Sequence, residues 1–236
     1  MLIKTLCLGT PPAGEAAATA ALRAAAARLA RESSGLREVQ CLRVLRHIPT
    51  DSLNDQKSHN GVVPEADGLA LVLEFYFDSE AAARAVAASP AWQAFRADVG
   101  AAAPVLFALD TQPNIPIAPA GAARDGGFRR WMLLARKAAT PEQFRDAWFG
   151  RHADLVKQLP HVDGYLQNLV VAREDGSGAA ADYARLPIDG IAELCFADEA
   201  AMNASYASGA RLPLRDDGRD LLGRITTVLV QGEAWR

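Results

Sequence analysis

The chain has 236 residues, half of them apolar, and a formal net charge of −3 at neutral pH. That length exceeds the usual single-domain size of about 100–150 residues, so two packed units are expected. The balanced charge gives no reason to expect a nucleic-acid partner, and no apolar run reaches the ~20 residues that a membrane-spanning helix needs.

Leu2 to Leu8 reads as a strand. The apolar run around Leu6-Cys7-Leu8 is cut off by Pro11-Pro12 too early for a signal peptide, so a cytoplasmic protein is the expectation. Glu15 to Arg31 is an alanine-rich helix that Gly35 should stop, and Leu36 to Ile48 is a second strand. Pro49 to Pro64, with Asn60-Gly61, reads as a polar loop. A strand from Leu69 to Phe77 follows, then a helix from Ser79 to about Val99 that Pro90 must divide, then a strand from Val105 to Leu109. The order is βαββαβ.

Gln112 to Gly127 is punctuated by prolines and glycines and reads as a linker, assigned to 113–127 between a unit 1–112 and a unit 128–236. After it the order repeats: strand Phe128 to Lys137, helix Pro141 to Gln158, strand Tyr165 to Arg173, a mobile loop Glu174 to Pro187, strand Ile191 to Phe196, broken helix Glu199 to Leu222 and strand Ile225 to Glu233. Asp67-Gly68 with Glu74, Phe77 and Asp78 corresponds to Asp189-Gly190 with Glu193, Phe196 and Asp198, which marks a tandem duplication. Each βαββαβ unit should form a ferredoxin-like antiparallel sheet with both helices on one face. The two uncovered sheet faces can then bury against each other as an α+β barrel within one chain, giving a monomer or a weak homodimer.

Cys7, Cys41 and Cys195 lie in apolar strand-like runs, and their odd number argues against a disulfide framework or a metal cage. No HExxH, CxxC, Walker loop or GxGxxG occurs, and His47, His59, His152 and His161 share no ligand spacing, so neither metal nor cofactor is expected. His47 and His59 fall at a strand end and in the polar loop, where solvated side chains are the simplest account. Asp216-Asp217 and Asp220 read as a solvated acidic helix end partnered by nearby arginines.

Thr140-Pro141-Glu142-Gln143 is a capping box at the start of the second unit's first helix. Phe144, Trp148 and His152 follow at i, i+4 and i+8, which places His152 with the buried side chains. It is either a neutral core imidazole with satisfied nitrogens or a general acid or base in a pocket. Tyr165, Gln167, Asn168 and Glu193 on the following strands are possible partners, and a buried Glu193 would require an arginine, histidine or hydrogen-bond donor. Strand alternation keeps Tyr165 and Asn168 from facing the same cavity in a regular strand.

Arg151-His152-Ala153, Pro160, Gly164-Tyr165, Gln167-Asn168, Asp189-Gly190-Ile191-Ala192-Glu193-Leu194 and Phe196 together resemble the signature of the EthD family, named after ethyl tert-butyl ether degradation, over about residues 128–233. The resemblance implies the dimeric α+β barrel fold and small, apolar or aromatic ligands. His152 then takes the family's helix histidine, and Tyr165, Asn168, Asp189 and Glu193 its strand and turn positions. The function it implies is a cofactor-independent enzyme of lyase, isomerase, cyclase or oxygenase type. In that reading His152 transfers the proton, Glu193 orients it, Tyr165 and Asn168 meet a substrate oxygen, and Trp131, Phe144 and Trp148 form the pocket wall. A non-catalytic carrier, or an accessory to a catabolic oxygenase, is the alternative. Some members of the wider superfamily bind haem, which would make His152 an axial ligand. The first unit keeps Glu74 and Phe77, but its helix Glu15 to Arg31 has no histidine or aromatic residue, so any active site belongs to the second unit.

Overall fold

The computed structural model describes residues 1–49, 61–119, 127–137 and 140–235. The first half runs β1 (Leu2–Leu8), α1 (Glu15–Glu32), β2 (Leu36–Ile48), a 3-10 turn (Pro64–Gly68), β3 (Leu71–Phe77), α2 (Glu80–Ala87), α3 (Pro90–Ala102) and β4 (Val105–Ile117). The second half runs β5 (Phe128–Arg136), α4 (Pro141–Ala147), a π turn (Trp148–His152), α5 (Ala153–Val156), β6 (Gly164–Asp175), β7 (Gly190–Phe196), α6 (Glu199–Ala207), α7 (Arg211–Leu221) and β8 (Leu222–Trp235). Pro90 divides the helical segment after β3 as expected: it opens α3 at N1, and the Ser89 hydroxyl accepts from the Trp92 N–H at the cap.

Each half has the ferredoxin-like strand order, β4-β1-β3-β2 and β8-β5-β7-β6, and the eight strands close into one antiparallel barrel. The halves are joined edge to edge rather than only face to face. β2 pairs with β8 over Val39 to Ile48, and β4 pairs with β6 over Phe107 to Ile117. Closure by these long strands removes the open edges that two separate sheets would leave.

The join requires more strand than the sequence suggested. β4 continues past Leu109 to Ile117, so residues 113–117 of the expected linker are strand, with the register shifting between Asn114 and Ile117. A bulge of this kind is where a strand accommodates proline, and Pro116 lies at this one, while Pro113 stays in register opposite Asn168. Residues 120–126 lie outside the described residues, as does His59. His47, at the exposed end of β2, hydrogen-bonds the Leu69 carbonyl through Nε2 at 2.9 Å.

Strand alternation separates three apolar layers. Leu71, Leu73, Phe75 and Phe77 face outward under α1 and α3, where Phe75 meets Trp92 and Phe95 edge-on. Tyr165, Ala192, Leu194 and Phe196 face outward under the second half's helices. Phe107, Trp131, Ile191, Val228 and Val230 fill the barrel interior. The expected mobile loop after β6 contributes to that interior, because Leu186 and Ile188 are buried within it and Arg173 donates to both of their carbonyls. Cys7, Cys41 and Cys195 are free and buried. Among the described residues no helix is long and apolar enough to cross a membrane.

Candidate active site

The capping box at Thr140 forms as read: Thr140 Oγ1 accepts from the Gln143 N–H, and the Gln143 side chain accepts from the Thr140 N–H at 3.0 Å. The helix it starts does not stay regular. At Trp148–His152 it becomes a π turn, with Gly150 at φ −91° and ψ −106° outside helical space. The extra residue disrupts the hydrogen-bond ladder, and Gln167 Nε2 donates to the Trp148 carbonyl at 2.6 Å. π turns of this kind re-aim the residues that follow and recur at functional sites. Phe144 and Trp148 stack with ring centroids 5.3 Å apart in the fully buried layer, whereas His152 is swung toward a cavity with 12% of its side chain exposed.

His152 Nδ1 hydrogen-bonds Asp217 Oδ2 at 2.8 Å. Asp217 is itself held by Arg151 Nε at 3.1 Å. The partner is thus on α7, not on β7, and the acidic cluster read as a solvated helix end contributes the residue that orients the histidine. Helical spacing carried the signal: Leu214, Asp217, Gly218 and Leu221 fall at i, i+3, i+4 and i+7, the inward stripe of α7.

His152 lines a cavity between the outer face of the second half's sheet and its helices. Met132, Leu134, Ala192 and Leu194 form its floor, Tyr165 and Tyr206 its walls, and Arg130, Arg211 and Arg215 its polar end. About 60 Å³ of it is open to the centres of water-sized molecules. A porphyrin does not fit this space, so the haem expectation finds no support in the geometry. Tyr165 accepts a hydrogen bond from Gln167 Nε2 at 2.9 Å. Burial pushes its phenol well above the ordinary tyrosine range, so the hydroxyl stays neutral and can donate its proton to a bound oxygen.

Glu193, Asn168 and Trp131 lie on the other side of the sheet. Glu193 is wholly buried in the barrel interior, where it pairs with Arg129 Nη1 at 2.8 Å and accepts from Asn168 Nδ2 at 2.8 Å. It therefore does not orient His152, and Asn168 and Trp131 line no wall of the cavity. Alternation is the physical reason: Arg130 and Met132 face outward where Arg129 and Trp131 face inward. It also separates Tyr165 from Asn168, as the spacing required. Phe144 and Trp148 back the cavity from the layer behind it.

Glu74 and Glu193 meet inside the barrel. Arg129 Nη1 also lies 3.9 Å from Glu74 Oε2, while its Nη2 donates to Gln40 Oε1 at 2.7 Å. Tyr76 OH donates to Glu74 at 2.8 Å and Trp131 Nε1 at 3.3 Å. One guanidinium cannot neutralise two buried carboxylates. Desolvation, then the charge of Glu193, pushes Glu74 up to about 8.

Asp189 is structural. It accepts from the Arg136 N–H at 2.7 Å and from Tyr183 OH at 2.8 Å, and it forms an ion pair with the Arg136 guanidinium. Gly190 beside it is required by packing, because a Cβ there would lie 2.4 Å from the Trp148 ring. The motif read as a turn signature thus seats the aromatic that backs the cavity.

Fold and site define a class: an α+β barrel of two ferredoxin-like halves, with a histidine-lined cavity in the second half. The sequence model of the EthD domain matches residues 136–219, which span His152, Tyr165 and Asp217. An anthrone oxidase-like protein superposes with a TM-score of 0.64 at 11% identity, covering 99% of this chain and 91% of its own. A provisionally named monooxygenase from Fusobacterium nucleatum subsp. nucleatum gives 0.63 at 7% identity, with 100% and 92% covered. One from Lactobacillus acidophilus gives 0.58 at 12%, with 97% and 93% covered. At these identities the likeness shows the fold. A search of curated proteins finds no significant match.

Proposed function

We propose that the cavity is the active site of a cofactor-independent enzyme acting on a small apolar or aromatic metabolite, with His152 as its proton-transfer group. The observation that carries this reading is the His152–Asp217 hydrogen bond at the wall of an apolar cavity. With Nδ1–H donated to Asp217, the Nε2 lone pair is the free basic position, and no protein group among the described residues is bonded to it. Asp217 fixes the tautomer and stabilises the imidazolium that forms when Nε2 takes a proton. In this reading Tyr165 donates to the substrate oxygen on which negative charge then develops. Removal of a proton from carbon or from a ring hydroxyl is the step shared by lyase, isomerase and cofactor-free oxygenase chemistry, and the anthrone oxidase-like neighbour supports oxygenation as the first reaction to try.

The test is oxygen uptake and product formation with small single-ring phenols as probes. His152→Ala should lower turnover by about 100-fold or more, the usual size of a general-base contribution. Full activity in that variant would remove His152 from the mechanism. Binding without turnover of any probe would favour a carrier or accessory protein.

A further inference from the structure

The cavity's polar end has a composition the proton-transfer reading does not use. Arg130, Arg211 and Arg215 face it, and among the described residues no aspartate or glutamate lines it. Arg215 is committed to Asp216 at 3.2 Å. Arg130 and Arg211 have no carboxylate within ion-pair distance among the described residues, and Arg130 Nε is buried with no hydrogen-bond partner. Both guanidiniums lie over the Tyr206 ring, at 4.6 Å and 5.0 Å from its centroid. A cation–π contact orients a guanidinium without consuming its N–H donors. Two half-buried cations stacked on one ring repel each other and lose hydration, and burial lowers Arg211 from its ordinary range. An arrangement that crowds positive charge at the end of an apolar cavity is relieved by an anion.

We propose that Arg130 and Arg211, braced on Tyr206, form a carboxylate-binding subsite, and that the substrate is a small amphipathic acid whose apolar body lies on Met132, Leu134 and Leu194. This rests on the cavity being the active site, and it adds the substrate's charge and orientation. The acid is anchored at the arginine end and its ring or chain projects along the floor that His152 and Tyr165 flank. Planar guanidiniums match carboxylate geometry bidentately, so lysine at either position would be a poor replacement.

Benzoate and its neutral isostere benzamide separate the charge requirement from apolar fit. Protein-observed NMR titrations at low salt should show benzoate binding at least about tenfold more tightly, with shifts at Arg130, Arg211 and Tyr206. Arg211→Met and Arg130→Met should reduce that preference to about twofold or less, and Arg211→Lys should restore only part of it. Equal affinity for the two probes, or a preference that survives in both methionine variants, would overturn the subsite. The wild-type comparison stands even if a variant fails to fold. Loss of the charge preference together with an intact His152→Ala turnover defect would sink the subsite alone. A preserved preference with no turnover defect would sink the proton-transfer reading alone. Binding of neither probe would overturn both.

Discussion

Arg129 ties Glu74 and Glu193 together, and its surroundings set a pH dependence. Glu74 is raised to about 8 by burial and by Glu193, whereas in the unfolded chain it titrates near its ordinary value of about 4.3. Between those values the folded state holds a proton that the unfolded state has released, so stability falls as pH rises across that window. Glu74→Gln keeps the shape and removes the titration. Urea denaturation at pH 5 and pH 8.5 should show a stability loss in the wild type that is much smaller in Glu74→Gln. Parallel losses in the two proteins would contradict the assignment. In the cavity, Asp217→Asn removes the charge that stabilises imidazolium at His152 while preserving the side chain's size. It should lower turnover by at least about tenfold with little change in thermal stability. The sequence showed His152 and the need of Glu193 for a partner, because both follow from local periodicity and the cost of burying charge. It did not show which partner each residue takes. His152 and Asp217 are 65 positions apart, and only the packing of α7 on the π turn brings them together.

At the scale of elements, what the sequence encodes locally was legible. Thr140 and Gln143 specify their cap within four residues, and Pro90 and Ser89 divide α2 from α3 for reasons contained in the chain around them. The π turn was not legible, because Phe144, Trp148 and His152 fit a regular helix equally well. Its cause is tertiary: Gln167 on β6 captures the Trp148 carbonyl, and Gly150 tolerates the non-helical backbone. The extension of β4 through Pro113 and Pro116 was hidden for the same reason, since β6 supplies the pairing that local propensity argues against. Gly190 gives the sharpest test of this packing. Gly190→Ala drives a Cβ into the Trp148 ring, and overpacking of this kind costs about 1–3 kcal/mol. Trp148→Phe in the same chain should recover part of that loss if the clash is its source. A Gly190→Ala protein with unchanged stability would show that Trp148 is free to move.

For the whole molecule, closure of eight strands within one chain has two consequences. Among the described residues the sheet closes on itself with no edge left to recruit a second copy, so light scattering after size exclusion should give the mass of one chain; an obligate dimer would contradict this. The β2–β8 and β4–β6 joins also couple the halves, so secondary structure and tryptophan fluorescence should be lost in one coincident urea transition. Separate transitions would mean that the halves are independent domains. The matching spacing of Asp67-Gly68 and Asp189-Gly190 pointed to the two ferredoxin-like halves of the barrel. Which side of the sheet holds the site was not legible, because Arg129-Arg130-Trp131-Met132 alternates between two buried environments and both accept polar side chains. The second half holds the histidine, its aspartate and the cavity that the histidine lines.

The central claim is that this helix-facing cavity, and not the charged barrel interior, receives the ligand. A crystal structure of the protein soaked with benzoate tests it most directly. The account predicts a ring on Met132 and Leu194 with its carboxylate on Arg130 and Arg211 and its far side toward His152 Nε2. Benzoate bound instead beside Arg129 and Glu193 within the barrel would contradict it.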